Sequence, residues 1–316
     1  MARKLRVQYP GAMYHVMNRG DRREAIFVGD PDCSLFMGTL DEACQKTDWQ
    51  LHAWCLMRNH FHLVIETPRA NLVDGMQWFL GVYTNRFNHR HQEFGHLFSG
   101  RYKAILVDGS GNGYLKSVCD YVHLNPVHAG MIGPEQPLQE YVWSSYPLYL
   151  NEPIFRPVWL RVDRLLGEWG IPKDCPAGRR EFAGRMEARR RDEGSGDYEP
   201  QGWCIGSEEF RRELLAQVEA QAGPRHTGPE VTESAESKAE RITREELERL
   251  GWTVQDLEAR RKGEPRKVKI AARLRRETTM SLAWIAQQLR MGTPGHVSSL
   301  LYRKGDERPG PEQDLF

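Results

Sequence analysis

The sequence predicts an α+β fold: a ferredoxin-like antiparallel sheet with helices on one face, followed by a C-terminal all-α helical domain. Three observations carry this. The elements up to Asp108 read strand, helix, strand, strand, helix, strand, the split β-α-β order. A two-residue polar turn, Arg58 and Asn59, separates two β-like runs that fit a hairpin. Helical spacing of apolar residues then returns from Arg241.

Met13 to Asn18 reads as the first strand. After the polar turn RGDRRE, the apolar residues of Pro31 to Thr47 recur at helical spacing, with Asp30 placed to cap that helix. LHAWCLM (51–57) and FHLVIET (61–67) make the hairpin. Asn71 to about His89 is the second helix, with Leu72, Met76, Leu80 and Tyr83 on one face, and YKAILVD from Tyr102 is the fourth strand. A further helix from about Gly113 to Asn125 is appended, and Pro126 is expected to stop it.

Composition changes after Tyr149. The expected divisions are a first domain at 1–149, a helical and irregular extension at 150–220, a flexible linker at 221–240, where QAGPRHTGPEVTESAESKAE has almost nothing to bury, and a helical tail at 241–316. No internal repeat is visible.

The 316 residues are 28% charged and 40% hydrophobic, which suits a soluble protein of more than one domain. No run approaches the roughly 18 apolar residues of a membrane helix. The opening MARKLRVQYPG lacks the apolar stretch of a signal peptide, so a cytoplasmic location with no membrane partner is expected. Six cysteines without a CxxC pair read as reduced core thiols, not as a zinc finger or a disulfide framework. The net charge of +1 hides basic clusters such as RRK, RRR and RKVKIAARLRR, so it does not exclude nucleic acid.

His60, Phe61 and His62 place two imidazoles on either side of an apolar residue at the start of a strand. The two-residue period of a strand points both imidazoles the same way and Phe61 toward the core. Such a pair can share one divalent ion that polarises a phosphate oxygen. It equally fits surface or hydrogen-bonded histidines, and the residues alone leave both readings open. His89 and His91 are a second HxH pair, but in a helix positions two apart diverge, so that pair should not chelate.

In CDYVHLNPVHAG, Tyr121 and Asn125 are one helical turn apart and share a face. A phenol can attack a phosphodiester and store the bond energy as a phosphotyrosine, and Asn125 can complete a metal shell. Tyr121 can also be a packing residue beside Val118 and Leu124, and Tyr114, one heptad earlier, is a rival on nearly the same face.

Together PGAMYHVMNRGDRREAIF, CLMRNHFHLVIETP, GHLFSGRYKAILVD and YVHLNPVHAG closely resemble the REP-associated tyrosine transposases, a branch of the single-tyrosine HUH transposases. The resemblance covers residues 8 to 148. It implies the HUH transposase fold, a divalent metal (Mg2+ or Mn2+) on His60 and His62, Tyr121 as nucleophile, and Asn125 as third ligand. It also implies cleavage and rejoining of single-stranded DNA beside REP-like palindromic hairpins through a 5′-phosphotyrosine, with no nucleotide cofactor. Arg19, Arg22, Arg23, Arg101 and Lys103 lie in or near the matched motifs as candidate phosphate contacts, against the alternative that they merely solvate a surface. A catalytically silent DNA-binding protein and a water-using metal phosphodiesterase are the alternative functions.

In the tail, Arg266 to Arg276 holds six basic residues and no acidic one, with Val268, Ile270, Ala271 and Leu274 as an apolar side, which suits a basic helix near nucleic acid. Ser281 is placed to cap a helix through Leu289, Gly292 to end it, and Thr293 with Pro294 to start another. The segment is similar to the helix-turn-helix of DnaA-type replication initiators. That likeness implies duplex DNA contact by Gly295 to Arg303, with His296, Ser298, Ser299 and Arg303 as readers. A small helical bundle that packs or dimerises is the alternative, and the protein is expected to be a monomer or a homodimer.

Overall fold

The computed structural model describes residues 7–191, 202–221 and 235–305, in two units, Met1–Thr232 and Glu233–Phe316. In the first, β1 (Ala12–Arg19) is followed by α1 (Asp30–Thr47), β2 (Gln50–Met57), β3 (His60–Thr67), α2 (Leu72–His91), β4 (Lys103–Val107) and α3 (Tyr114–His128). The strand order β2-β3-β1-β4 is antiparallel throughout, as the ferredoxin-like reading requires. Met57 pairs directly with His60, so Arg58 and Asn59 are the hairpin turn.

The helices α1 and α2 cover the face to which Phe61 points. Phe36 of α1 is the hub: its ring centroid is 5.1 Å from Phe61, 4.8 Å from Phe79 and 4.9 Å from Tyr83. The last two contacts are edge-to-face and the first is tilted, and such pairs add to the area that the rings bury. Gly75 lets α2 close on this layer, because a Cβ there would stand 2.1 Å from Trp49 Cζ2. The second face is not left to solvent: α3 packs on β2 and β3, which is why β2 and β3 are buried almost end to end instead of alternating.

Two local expectations need correction. Gly29, not Asp30, occupies the cap position of α1; Asp30 is the first helical residue, and its Oδ1 accepts the Trp143 indole N–H at 2.8 Å. Pro126 does not stop α3 either, and the helix runs on to His128. It ends at Gly130, whose φ of +68° lets Met131 N–H reach Pro126 O (2.8 Å) and Gly130 N–H reach Val127 O (2.9 Å). This double bond across a left-handed glycine terminates a helix without help from proline.

The stretch after Tyr141 closes both edges of the sheet. Along β2, Leu56 N–H donates to Trp143 O, Ser145 N–H to Trp54 O, Leu51 N–H to Trp159 O and Arg161 N–H to Leu51 O, all at 2.8 to 2.9 Å. Beyond β4, after α4 (Tyr146–Leu150), α5 (Asp163–Glu168) and α6 (Pro176–Arg191), a short β5 (Cys204–Ile205) pairs in parallel, and α7 (Glu208–Gln221) follows. The sheet is therefore five-stranded and mixed, and β2 and part of β4 find backbone partners outside the four-stranded core. All six cysteines are free thiols. Among the described residues no helix is long and apolar enough to cross a membrane.

The second unit is helical: α8 (Ala235–Leu250), α9 (Val254–Ala259), α10 (Pro265–Glu277), α11 (Leu282–Gln288) and α12 (Pro294–Gly305). Of the expected linker, 222–234 lie outside the described residues, as do 192–201 of the extension and 306–316 of the tail; residues 235–240 are helical. Ile242, Leu257, Ile270, Leu274, Ile285, Leu289 and Val297 meet in its core. Ser281 caps α11, accepting from Trp284 N–H at 3.2 Å, as expected. The left-handed residue that ends α11 is Arg290 (φ +52°) instead of Gly292, with Met291 N–H bonded back to Ala286 O at 2.8 Å. The α10 helix is less available to a nucleic acid than its composition suggests. Lys267 is buried, with Nζ donating to Leu257 O and Arg260 O, and Arg273 is ion-paired with Glu245, Glu246 and Glu277.

Candidate active site

β1 and β3 put the first half of the site in place. In their register Arg19 pairs with His60 and Met17 with His62. Residues directly opposite in an antiparallel ladder share a face, so these four stand on the face opposite Phe61. The His60 and His62 ring centroids are 5.1 Å apart.

α3 crosses that face and brings the second half. The Tyr121 ring sits edge-on to His62 with 5.5 Å between centroids. One turn later, Asn125 Nδ2 lies 3.5 Å from His62 Nε2, and the same side chain hydrogen-bonds the His60 ring. The four residues named from sequence thus converge, although 59 positions separate His62 from Tyr121 in the numbering. Tyr114 is set apart: it packs against the core at the start of α3 and does not line this cleft.

The cleft has a volume of about 560 Å³. Arg19, Arg23, Arg101 and Lys103 line it together with His60, His62 and Tyr121. Four cations around a concave site raise the local concentration of an anionic polymer and favour its phosphates. Arg22 is exposed but does not line the cleft. Met17, Asn59 and Ser99, which sequence reading passed over, do. The two rings of the second HxH pair go separate ways: His91 Nε2 is 2.9 Å from Asp32 Oδ1, and His89 lines a separate groove. His296, Ser298 and Ser299 are exposed on α12 of the second unit; Arg303 is on the same helix, with its side chain outside the described residues.

Burial is the main cause holding the His60 imidazolium form down, and it acts more strongly on His62, where His15 and His60 reinforce it. Both rings are thus kept neutral, the form that can donate a lone pair to a cation. Among the described residues no three His, Cys, Asp or Glu side chains form a metal-binding group. The third donor available here is therefore the Asn125 amide, which presents oxygen when turned about its last bond. Two imidazole nitrogens, one amide oxygen and an open cleft fit a divalent ion such as manganese.

The family described as "Transposase IS200 like" matches residues 8–125. A solved structure, described as a REP-associated tyrosine transposase bound to a REP hairpin, is similar at 13% identity and a TM-score of 0.40, over 50% of this chain and 91% of that one. No curated protein matches the chain. The matched segment runs from the residues before β1 to Asn125 and holds both histidines and Tyr121, and over these residues the chain is similar to that family.

Proposed function

We propose that the first unit cuts and rejoins single-stranded DNA beside palindromic hairpins, with Tyr121 as the nucleophile. The observation that carries this reading is the placement of the Tyr121 ring against His62 in a cleft that four cationic side chains also line. His60, His62 and Asn125 would hold a divalent ion, which when bound supplies positive charge to a phosphate oxygen and eases attack on it. Arg19, Arg23, Arg101 and Lys103 would track the backbone phosphates and fix the strand across the cleft.

In the first step Tyr121 Oη forms a bond to phosphorus and the bond to the 3′ oxygen breaks. The phenol gives up its proton and the leaving 3′ oxygen gains one. A 5′-phosphotyrosine and a free 3′-hydroxyl result, so the bond energy is retained and a second 3′-hydroxyl can reverse the step on a new end. The exposed face of α12, with His296, Ser298 and Ser299, would contact duplex DNA after the manner of a helix-turn-helix.

The test is denaturing gel electrophoresis after mixing the protein, manganese and labelled hairpin DNA taken from beside its own gene, for wild type and Tyr121→Phe. A covalent band in wild type alone supports the proposal. Binding without an adduct in either protein would favour a silent binder, and cleavage with no protein attached would favour water as the nucleophile. An adduct in both proteins would turn attention to Tyr114.

A further inference from the structure

His15 is wholly buried in β1, and its Nε2 lies 2.9 Å from His62 Nδ1. Two ring nitrogens this close need one hydrogen between them, so one ring donates and the other accepts. That choice decides the far side of His62. With the hydrogen on His62 Nδ1, its Nε2 is a bare lone pair. With the hydrogen on His15, His62 Nε2 carries its own and is closed to a cation.

Two arrangements favour the first assignment. Asn125 Nδ2, a donor, is the group that approaches His62 Nε2, at 3.5 Å. A hydrogen on Nε2 would set two N–H groups against each other in a buried space, where polar atoms are normally matched donor to acceptor. His60 is treated the same way: its Nδ1 is 2.8 Å from Asn59 Oδ1, an oxygen that only accepts. The inner nitrogen of each histidine thus faces a group able to accept, one from the hairpin turn and one from the neighbouring strand.

We propose that His15 is a positioning residue which holds His62 as the Nδ1–H tautomer and so leaves Nε2 open to a divalent cation. It is wholly buried and does not line the cleft; its ring centroid is 5.1 Å from that of His62, and it also sits 6.0 Å from Tyr121, at the meeting point of the strands and α3. Its value for metal binding rests on the function proposed above, whereas the tautomer it imposes does not.

Two measurements test it. The first is long-range 15N NMR of the histidine-labelled full-length protein without metal, with the His62 signals assigned by their loss in His62→Gln. A protonated Nδ1 and a bare Nε2 are expected, and the reverse pattern overturns the proposal. The second is Mn2+ affinity, followed by electron paramagnetic resonance, of wild type, His15→Gln and His15→Met. Met leaves only a weak sulfur acceptor and should weaken binding by about 10- to 100-fold, whereas Gln, which keeps an acceptor oxygen near the old Nε2 position, should stay within about fivefold. A folded His15→Met protein with wild-type affinity overturns the proposal; if that variant does not fold, the NMR result on the wild type decides. Wild type that shows the expected tautomer yet binds no Mn2+ supports the hold of His15 on the ring and overturns the metal reading instead.

Discussion

Asp120, immediately before Tyr121, should make the first unit less stable as pH rises toward neutrality. The side chain is only 3% exposed, and its Oδ1 accepts the Trp169 indole N–H at 3.2 Å. Burial pushes its carboxyl up to about 7, and Lys116 and the Trp169 bond offset only part of that effect. An unfolded aspartate titrates near about 4. Between these values the folded state holds a proton that the unfolded chain gives up, so the stabilisation is complete below about pH 4 and is lost as pH rises through about 7. The difference of about 3 pKa units corresponds to about 4 kcal/mol at most, a ceiling because the unfolded reference retains structure. Asp120→Asn keeps the acceptor for Trp169 and has no charge to bury. In urea melts followed by circular dichroism, the variant should match wild type near about pH 4 and exceed it by up to about 4 kcal/mol near about pH 8. Comparing the two proteins is necessary because His15 and His123, which burial drives down to about 3, act in the opposite sense. Their contribution is present above about pH 6.5 and falls away as pH drops toward 3. A difference between variant and wild type that does not change with pH, or an Asn variant that is weaker at about pH 8, would refute the account.

Other expectations follow from single contacts. Ser145 Oγ lies 2.8 Å from His123 Nε2 and accepts from Trp54 N–H at 2.9 Å, so Ser145→Ala strands two buried groups and should cost about 2–4 kcal/mol in the same melts. Gly75→Ala should cost about 1–3 kcal/mol or more by driving a methyl into the Trp49 ring; a melt shifted by less than about 0.5 kcal/mol would mean that α2 has room to retreat. Arg101→Ala should lower the slope of log affinity against log salt for single-stranded DNA by about 0.7 if it holds one phosphate, as read from titrations at several salt concentrations. A chain ending at residue 232 should still form the Tyr121 adduct but bind duplex DNA more weakly; unchanged duplex affinity would remove α12 as a reader.

The parts of the fold that were legible in the sequence are those whose signal is local. The two-residue period of a strand orients His60 and His62 together, and the 3.6-residue period of a helix aligns Tyr121 with Asn125, so each half of the site could be written down separately. Joining the halves took the motif resemblance, because nothing local says that α3 crosses the face opposite Phe61. The end of α3 is not legible from proline alone; Pro126 sits inside the helix, and the decisive feature is the left-handed turn at Gly130, four residues on. The mixed edge was invisible for a different reason. β5 is two residues long, and the segments along β2 pair through backbone groups that every residue type carries.

His15 shows the limit most clearly. It is 47 positions from His62, sits on a different strand, and reads in the sequence as one polar residue in an otherwise apolar run. Only the register, with Met17 opposite His62, sets His15 on the same face two residues earlier in β1 and within reach of the ring. The residues that would touch metal or DNA are recognisable by type and spacing because the chemistry restricts both. A residue that acts by holding one of them is restricted only by where the fold puts it, and any acceptor of the right reach would serve. The same holds for Asn59, which meets His60 from the hairpin turn and carries in the sequence only the signal of that turn. The supporting shell of this site is therefore encoded in strand register and turn length more than in residue identity.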